Sequence, residues 1–210
     1  MIRVILVDDH PIVRRGLRET LSADPGITVV AEAAQSEEVL GTLAAHPCDV
    51  LILDISLPGR GGLEVLKDVR RDFPAVKVLI VSTHDEAQYS VRAIRAGAAG
   101  YLTKSSPPED LVRAVRALVE KGRYLTDNVA AALAEFAVDD RAVPAHERLS
   151  DREHEVLRLL TTGLTVSDIA DRLSLSAKTV STYRTRLAEK LGVRTTAELV
   201  RYALEHKLFN

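Results

Sequence analysis

Three aspartates, a serine and a lysine in the first half of the chain have the types needed to handle a phosphoryl group: the adjacent pair Asp8 and Asp9, then Asp54, Ser82 and Lys104. Carboxylates gathered in one pocket repel, at about 4 kcal/mol for two charges about 4 Å apart and an effective dielectric near 20. Such a pocket asks for a cation. Carboxylate and backbone oxygens suit Mg²⁺, which keeps waters and shares its coordination with phosphate. One aspartate can then be a nucleophile towards a phosphoryl donor, assisted by Lys104 as a point charge and by the Ser82 hydroxyl. Taken one at a time, these aspartates read as caps for the helices that follow them; the full set is hard to read as coincidence.

A second group lies near the C-terminus. Between Ala177 and Leu191, Val180, Tyr183, Leu187 and Leu191 step by three and four along one face. Lys178, Ser181, Thr182, Thr185 and Arg186 fall mostly outside that stripe. Short hydroxyl side chains let a helix approach base edges, while Lys178, Arg184, Arg186, Lys190 and Arg194 can neutralise phosphates. On charge alone an ordinary solvated helix face fits as well.

The elements that would position the first group alternate. Val4–Val7, Thr28–Ala31, Val50–Leu53 and Val78–Val81 are continuous apolar runs of strand length, and Gly100-Tyr-Leu supplies a short fifth strand. Such runs predict strands buried on both faces. Pro11–Leu21, Ser36–Ala45, Leu63–Arg71, Glu86–Ala96 and Pro108–Glu120 have helical periodicity. Strand and helix in alternation predict an open, doubly wound parallel five-stranded sheet in an α/β domain. With strand order 2-1-3-4-5, strands one and three are neighbours, and their carboxyl ends carry Asp8, Asp9 and Asp54.

Asp127–Ala137 is alanine-rich and helix-prone, and fits either the first domain or a connecting helix. From Val138 to Arg148 periodicity fails among charges and a proline, which marks a linker. Beyond it only helices are predicted: Asp151–Leu160, Val166–Leu173, Ala177–Leu191 and Thr196–Glu205, forming a small all-α domain. Ser150-Asp-Arg-Glu153 fits a capping box, and Ser176 and Thr195 are good N-caps. Ser174-Leu-Ser-Ala177 makes the tight turn of a helix-turn-helix. The expected division is thus residues 1–121, a connecting segment 122–147, and residues 148–210.

Composition sets limits. Hydrophobic residues make up 46% of the 210 and charged residues 28%, with a net charge of −2, which fits a globular chain with a real core. Residues 1–147 hold 17 Lys and Arg against 22 Asp and Glu; residues 148–210 hold 11 against 8, so the second part is the better match for a polyanion. No apolar run reaches the ~18 residues of a membrane span, and the first residues turn acidic too soon for a signal peptide, so the cytoplasm is expected. The single cysteine, Cys48, excludes an internal disulfide framework and reads as a packed thiol. His10 and His84 read as solvated loop histidines, and Gly59-Arg-Gly-Gly62 as a flexible turn that lacks the Lys-Ser/Thr of a phosphate-binding loop.

Val7-Asp-Asp-His-Pro11, Leu53-Asp-Ile-Ser-Leu-Pro-Gly59, Val81-Ser82 and Gly100-Tyr-Leu-Thr-Lys104 resemble the receiver domain of bacterial two-component response regulators. Leu149-Ser-Asp-Arg-Glu-His-Glu-Val-Leu157, Gly163, Asp168-Ile-Ala170, Lys178-Thr-Val-Ser-Thr-Tyr183 and Lys190-Leu-Gly-Val193 resemble the LuxR-type effector domain. Together they resemble the NarL/FixJ family along nearly the whole chain. The resemblance implies a CheY-like receiver with Asp54 as phosphoacceptor. It makes Asp9, Asp54 and the Ser56 carbonyl ligands of Mg²⁺, with Asp8 acting directly or through water. Ser82 and Lys104 would hold the phosphoryl oxygens, and Tyr101 is the aromatic that repacks. It also implies DNA contacts from Lys178, Thr179, Ser181, Thr182, Thr185, Arg186, Lys190 and Arg194. A sensor histidine kinase, promoter DNA and a second copy of the chain are the expected partners, with RNA polymerase a further one. Two departures stand out: Ser105 replaces the frequent proline after the strand-five lysine, leaving the isomer of that peptide open, and Tyr183 and Arg184 replace a frequent His and an apolar residue.

An enzyme of the haloacid-dehalogenase type needs a second acid two residues after the nucleophile, where this chain has Ser56. Slow self-dephosphorylation is the only activity expected. RNA binding by base stacking is disfavoured by the absence of Trp and the presence of only three Phe.

Overall fold

The computed structural model describes residues 1–57, 61–83, 86–138, 145–173, 175–206 and 208–209. His84, Gly59, Arg60, Ser174 and most of the linker expected from Val138 to Arg148 lie outside them. The chain forms two compact units, Met1–Val138 and Asp139–Asn210.

The first unit follows the alternation of its sequence. Strands β1 (Ile2–Val7), β2 (Ile27–Ala33), β3 (Val50–Leu53), β4 (Lys77–Ser82) and β5 (Gly100–Thr103) form one sheet in the order β2-β1-β3-β4-β5. Every neighbouring pair is parallel. The crossovers are α1 (Pro11–Ser22), α2 (Val39–Ala45) after a 3₁₀ turn at Ser36–Glu38, α3 (Gly62–Asp72) and α4 (Glu86–Arg95), and α5 (Pro108–Lys121) follows the last strand.

Because side chains alternate along a strand, the apolar runs feed two cores. Ile5, Val7, Leu51, Leu53, Val78, Ile80 and Tyr101 pack with α2, α3 and α4 on one face. Val4, Leu6, Val50, Ile52, Leu79, Val81 and Leu102 pack with residues of α1 and α5 on the other. Fully burying one such aliphatic side chain contributes about 1.5–3 kcal/mol.

The segment after α5 stays with the sheet. Tyr124 forms a parallel bridge with Gly100, and its amide donates to the Ala99 carbonyl at 2.9 Å. Helix α6 (Asp127–Val138) packs against α4, with Val129 and Ala132 buried. Of the stretch set apart in the sequence as a connecting segment, this helix therefore lies within the first compact unit.

The second unit opens with a 3₁₀ turn at Ala145–Arg148, followed by α7 (Asp151–Thr161), α8 (Val166–Arg172), α9 (Ala177–Leu191) and α10 (Thr196–Glu205). Each helix start carries the cap its sequence calls for. Ser150, Thr165, Ser176 and Thr195 all accept from the backbone amide three residues on, and Glu153, Asp168 and Glu198 return the bond in capping boxes. Such a cap contributes typically about 1 kcal/mol. The core joins Leu149, Val156, Leu157, Leu160, Ile169, Val180, Leu187 and Leu199.

Candidate functional site

Sheet register brings the acids together. Val7 pairs with Leu53, and the Asp54 amide donates to the Val7 carbonyl at 2.9 Å, so the side chains that follow the two strands share one spot. At the neighbouring strand ends Ser82 pairs with Thr103, and the Lys104 amide donates to the Ser82 carbonyl at 2.7 Å. Thus Asp8, Asp54, Ser82 and Lys104 all arise at carboxyl ends of adjacent strands, as the sequence predicts.

Lys104 Nζ lies 2.7 Å from both Asp54 Oδ2 and Asp8 Oδ2. Asp8 and Asp54 are each only 1% exposed, whereas Asp9 reaches outward. One ammonium shared between two buried carboxylates does not compensate both. Burial therefore holds the Asp54 carboxyl above the usual carboxylate range, against the pull of Lys104 and with a small push from Asp8. Burial alone would lower the Lys104 ammonium, but Asp54 and Asp8 outweigh it and its pKa is raised.

His10 enters the cluster from the start of α1. Its Nδ1 lies 2.7 Å from Asp9 Oδ1 and its amide donates to Asp8 Oδ1 at 2.8 Å, so Asp8 acts as a turn cap as well as a site residue. Asp8 Oδ2, beside Lys104 Nζ, and Asp9 Oδ1, beside His10 Nδ1, are buried atoms without a well-aligned hydrogen bond. Asp8, Asp9, His10 and Asp54 each offer a ligand atom, all within 4.8 Å of one another. A set dominated by carboxylate oxygens fits Mg²⁺, with the imidazole as an outer partner. Ser56 follows directly, its amide donating to Asp54 Oδ1 at 3.1 Å.

Tyr101 is the second residue of β5, opposite Ile80 and fully buried in the core. One expectation needs correction: the glycine run, read as a flexible turn, contains a tightly fixed member. A Cβ on Gly62 would collide with the Asp54 carbonyl oxygen, and the Gly62 amide donates to the Ile55 carbonyl at 2.9 Å. Gly62 thus lets the start of α3 close against the loop that carries Asp54, a role its sequence context hints at only through the run of glycines. The Lys104–Ser105 peptide is trans.

In the helical unit, Val180, Leu187 and Leu191 of α9 face the core and Tyr183 packs at its margin. Lys178, Thr182, Thr185, Arg186, Lys190 and, beyond the helix, Arg194 are exposed, while Thr179 and Ser181 are half-buried. Thr179 belongs to the helix start, its Oγ1 lying 2.8 Å from the capping Ser176 hydroxyl. Thr182 Oγ1 donates to the Lys178 carbonyl at 3.0 Å and Thr185 Oγ1 to the Ser181 carbonyl at 3.1 Å. Lys190 Nζ is 2.6 Å from Glu153 Oε2, a buried carboxylate that also caps α7. Arg184 and Arg194 border a hollow between α9 and the start of α10. Among the described residues no helix is long and apolar enough to cross a membrane.

Residues 4–116 match the family described as the response regulator receiver domain, and residues 147–203 match the bacterial regulatory proteins of the luxR family. The chain is 36% identical to the response regulator UvrY of Escherichia coli K12, over 100% of this chain and 97% of that protein. It is also 36% identical to the response regulator GacA of Pseudomonas aeruginosa, over 98% and 97%. Among solved structures it resembles RcsB of Salmonella enterica serovar Typhimurium bound to promoter rprA in the presence of the phosphomimetic BeF₃⁻. There the TM-score is 0.65 and the identity 30%, over 96% of this chain and 97% of that one. The response regulator ChrA of a heme-sensing two-component system resembles it at a TM-score of 0.53 and 36% identity, over 99% and 98%.

Proposed function

Because the chain belongs to the NarL/FixJ family of two-component response regulators, a receiver domain followed by a LuxR-type helix-turn-helix domain, we propose that a sensor histidine kinase phosphorylates it at Asp54 and that the modified protein dimerises and binds promoter DNA. The observation that carries this reading is the buried Asp54 carboxylate held 2.7 Å from Lys104 and beside Asp8. Asp54 is 1% exposed and lies 2.7 Å from Lys104, which suits the nucleophile. Asp9, Asp54 and the Ser56 carbonyl, with Asp8, would hold Mg²⁺ (a bound ion neutralises the charge that develops on a transferring phosphoryl group).

Lys104 would meet one phosphoryl oxygen through Nζ, and the Ser82 hydroxyl, at the next strand end, another. Asp8 keeps Lys104 in place when Asp54 is modified, since the ammonium already touches both. Drawing Ser82 towards the phosphoryl group and repacking around Tyr101 would shift a pre-existing equilibrium towards the active form. A complete reversal from 1:99 to 99:1 requires about 5.5 kcal/mol. In the effector domain α9 would enter the major groove with Ser181, Thr182 and Thr185 towards base edges, and Lys178, Arg186 and Arg194 towards phosphates. Ser56 stands two residues after Asp54, where a haloacid-dehalogenase-type enzyme carries its second acid, so slow self-hydrolysis is the only reaction expected beyond phosphoryl acceptance.

Gel shifts on genomic fragments, with and without acetyl phosphate and Mg²⁺, test the whole reading. Phosphodonor should strengthen binding by wild type and leave Asp54→Ala unchanged; equal gains in both would overturn it.

A further inference from the structure

Thr182 and Thr185 stand on successive turns of the exposed face of α9, and their hydroxyls are tied back to the helix itself. Thr182 Oγ1 donates to the Lys178 carbonyl and Thr185 Oγ1 to the Ser181 carbonyl. A threonine hydroxyl has one hydrogen to give, and here it is given. The β-branched side chain is also stiff about χ1, so with Oγ1 turned towards the preceding helical turn, the branch left for a ligand is the Cγ2 methyl. Lys178 and Arg186 flank Thr182 around a shallow hollow that also includes Thr179 and Tyr183. A cationic rim around methyl groups is suited to a phosphate-bordered, locally apolar target.

In the major groove the acceptors of guanine N7 and O6, adenine N7 and thymine O4 all need a donor that these hydroxyls have already spent; an adenine or cytosine amino group could still donate to Oγ1, whereas the thymine C5-methyl needs only the apolar contact that the outward Cγ2 offers. Resting on the DNA-binding reading above, we propose that Thr182 and Thr185 recognise thymine through its C5-methyl group, so that specificity at these two positions is a methyl-to-methyl contact and not a hydrogen bond. Ser181, half-buried just before Thr182, carries no methyl and cannot substitute.

The test replaces thymines of a bound genomic fragment one by one with deoxyuridine, which differs only by that methyl. Dissociation constants are measured by fluorescence anisotropy with the full chain, acetyl phosphate and Mg²⁺. For wild type, deoxyuridine at one or two positions per half-site should weaken binding about three- to fivefold, the scale of one buried methyl. That ratio should fall to one at the cognate thymine in Thr182→Ser or Thr185→Ser, which lose the methyl and keep the hydroxyl. It should persist in Thr182→Val and Thr185→Val, which keep a methyl and lose the hydroxyl, with helicity checked by circular dichroism. A wild-type ratio of one at every thymine of a specifically bound fragment would overturn the proposal, as would a ratio retained in the serine variants or abolished in the valine variants. If no fragment is bound in preference to scrambled DNA, the DNA-binding reading itself fails.

Discussion

Lys190 Nζ stands 2.6 Å from Glu153 Oε2, joining the last turn of α9 to a carboxylate that is only 2% exposed at the start of α7. Lys190, singled out in the sequence as a phosphate contact, is thereby a strut of the domain that presents the helix.

Lys190→Ala should therefore destabilise the effector domain by about 1–3 kcal/mol, because it leaves Glu153 buried with less compensation. Burial pushes the Glu153 carboxyl up, but Lys190 and the Ser150 amide pull harder and its pKa is lowered. The stability this supplies is present above the ordinary glutamate value and is lost as pH falls through the depressed one. Denaturant melts of wild type and Lys190→Ala should differ at neutral pH and converge on strong acidification. A difference that is constant down to pH 3 would contradict the assignment.

Lys178 and Arg186 are exposed on α9 and, among the described residues, neither forms an ion pair. Each alanine variant should weaken specific and scrambled DNA alike and reduce the slope of log K against log salt by about one unit. A changed sequence preference in either variant would count against a phosphate role. Bound as a dimer, the protein should favour half-sites centred about 10 base pairs apart.

Metal-free receiver should be strained by ionised Asp54. Its raised pKa means that the neutral form is favoured in the fold, so stability is fully present below the ordinary aspartate value and falls as pH rises through the raised one. Asp54→Asn should melt higher than wild type at neutral pH without Mg²⁺, by about 1 kcal/mol or more, and Mg²⁺ should close the gap by stabilising wild type alone. By the same linkage, Mg²⁺ affinity and phosphorylation by acetyl phosphate should decline on acidification at a pH above the usual aspartate range. A lower melting temperature for Asp54→Asn in the absence of metal would refute this.

Gly62→Ala should cost about 2–4 kcal/mol and slow phosphorylation, since its Cβ would strike the Asp54 carbonyl oxygen and displace the loop bearing Asp54. Gly16, in α1, has nothing within 4 Å of the corresponding position, and Gly16→Ala should stabilise by about 0.5–1 kcal/mol through helix propensity. Thermal melts of the two variants should move in opposite directions and intact-mass kinetics should slow only in Gly62→Ala; parallel behaviour would show that the contact at Gly62 is unimportant.

Ser82 is fully buried at the end of β4. Ser82→Ala should still accept a phosphoryl group at Asp54 but dimerise weakly in response. Sedimentation showing equal dimerisation of phosphorylated wild type and Ser82→Ala would remove Ser82 from the switch.

What could be read from the sequence follows from what is local. The runs Val4–Val7 and Val50–Leu53 announce strands buried on both faces, and the parallel order then makes Asp8 and Asp54 neighbours without any further information. Ser150, Ser176 and Thr195 announce helix starts because a cap involves residues three apart. Gly62 is different: its requirement arises from an approach to the Asp54 carbonyl, which depends on how β3 meets α3 and leaves no mark beyond the residue type. The Lys190–Glu153 pair spans 37 residues, and either member alone reads as a surface charge or a cap. Tyr101 shows the same limit, since Gly100-Tyr-Leu-Thr103 reveals a strand but not that its second residue sits deep in the core.

The bridge between Tyr124 and Gly100 and the seat of α6 on α4 have a practical consequence for dissecting the molecule. β5 is the last strand of the sheet, and Tyr124 and α6 lie over that side. A fragment cut at Lys121 would bare the Ala99 carbonyl and the apolar positions opposite Val129 and Ala132, offering an uncovered sheet border for edge-to-edge aggregation. A receiver excised at Val138 retains its own cover and is the fragment expected to remain monodisperse.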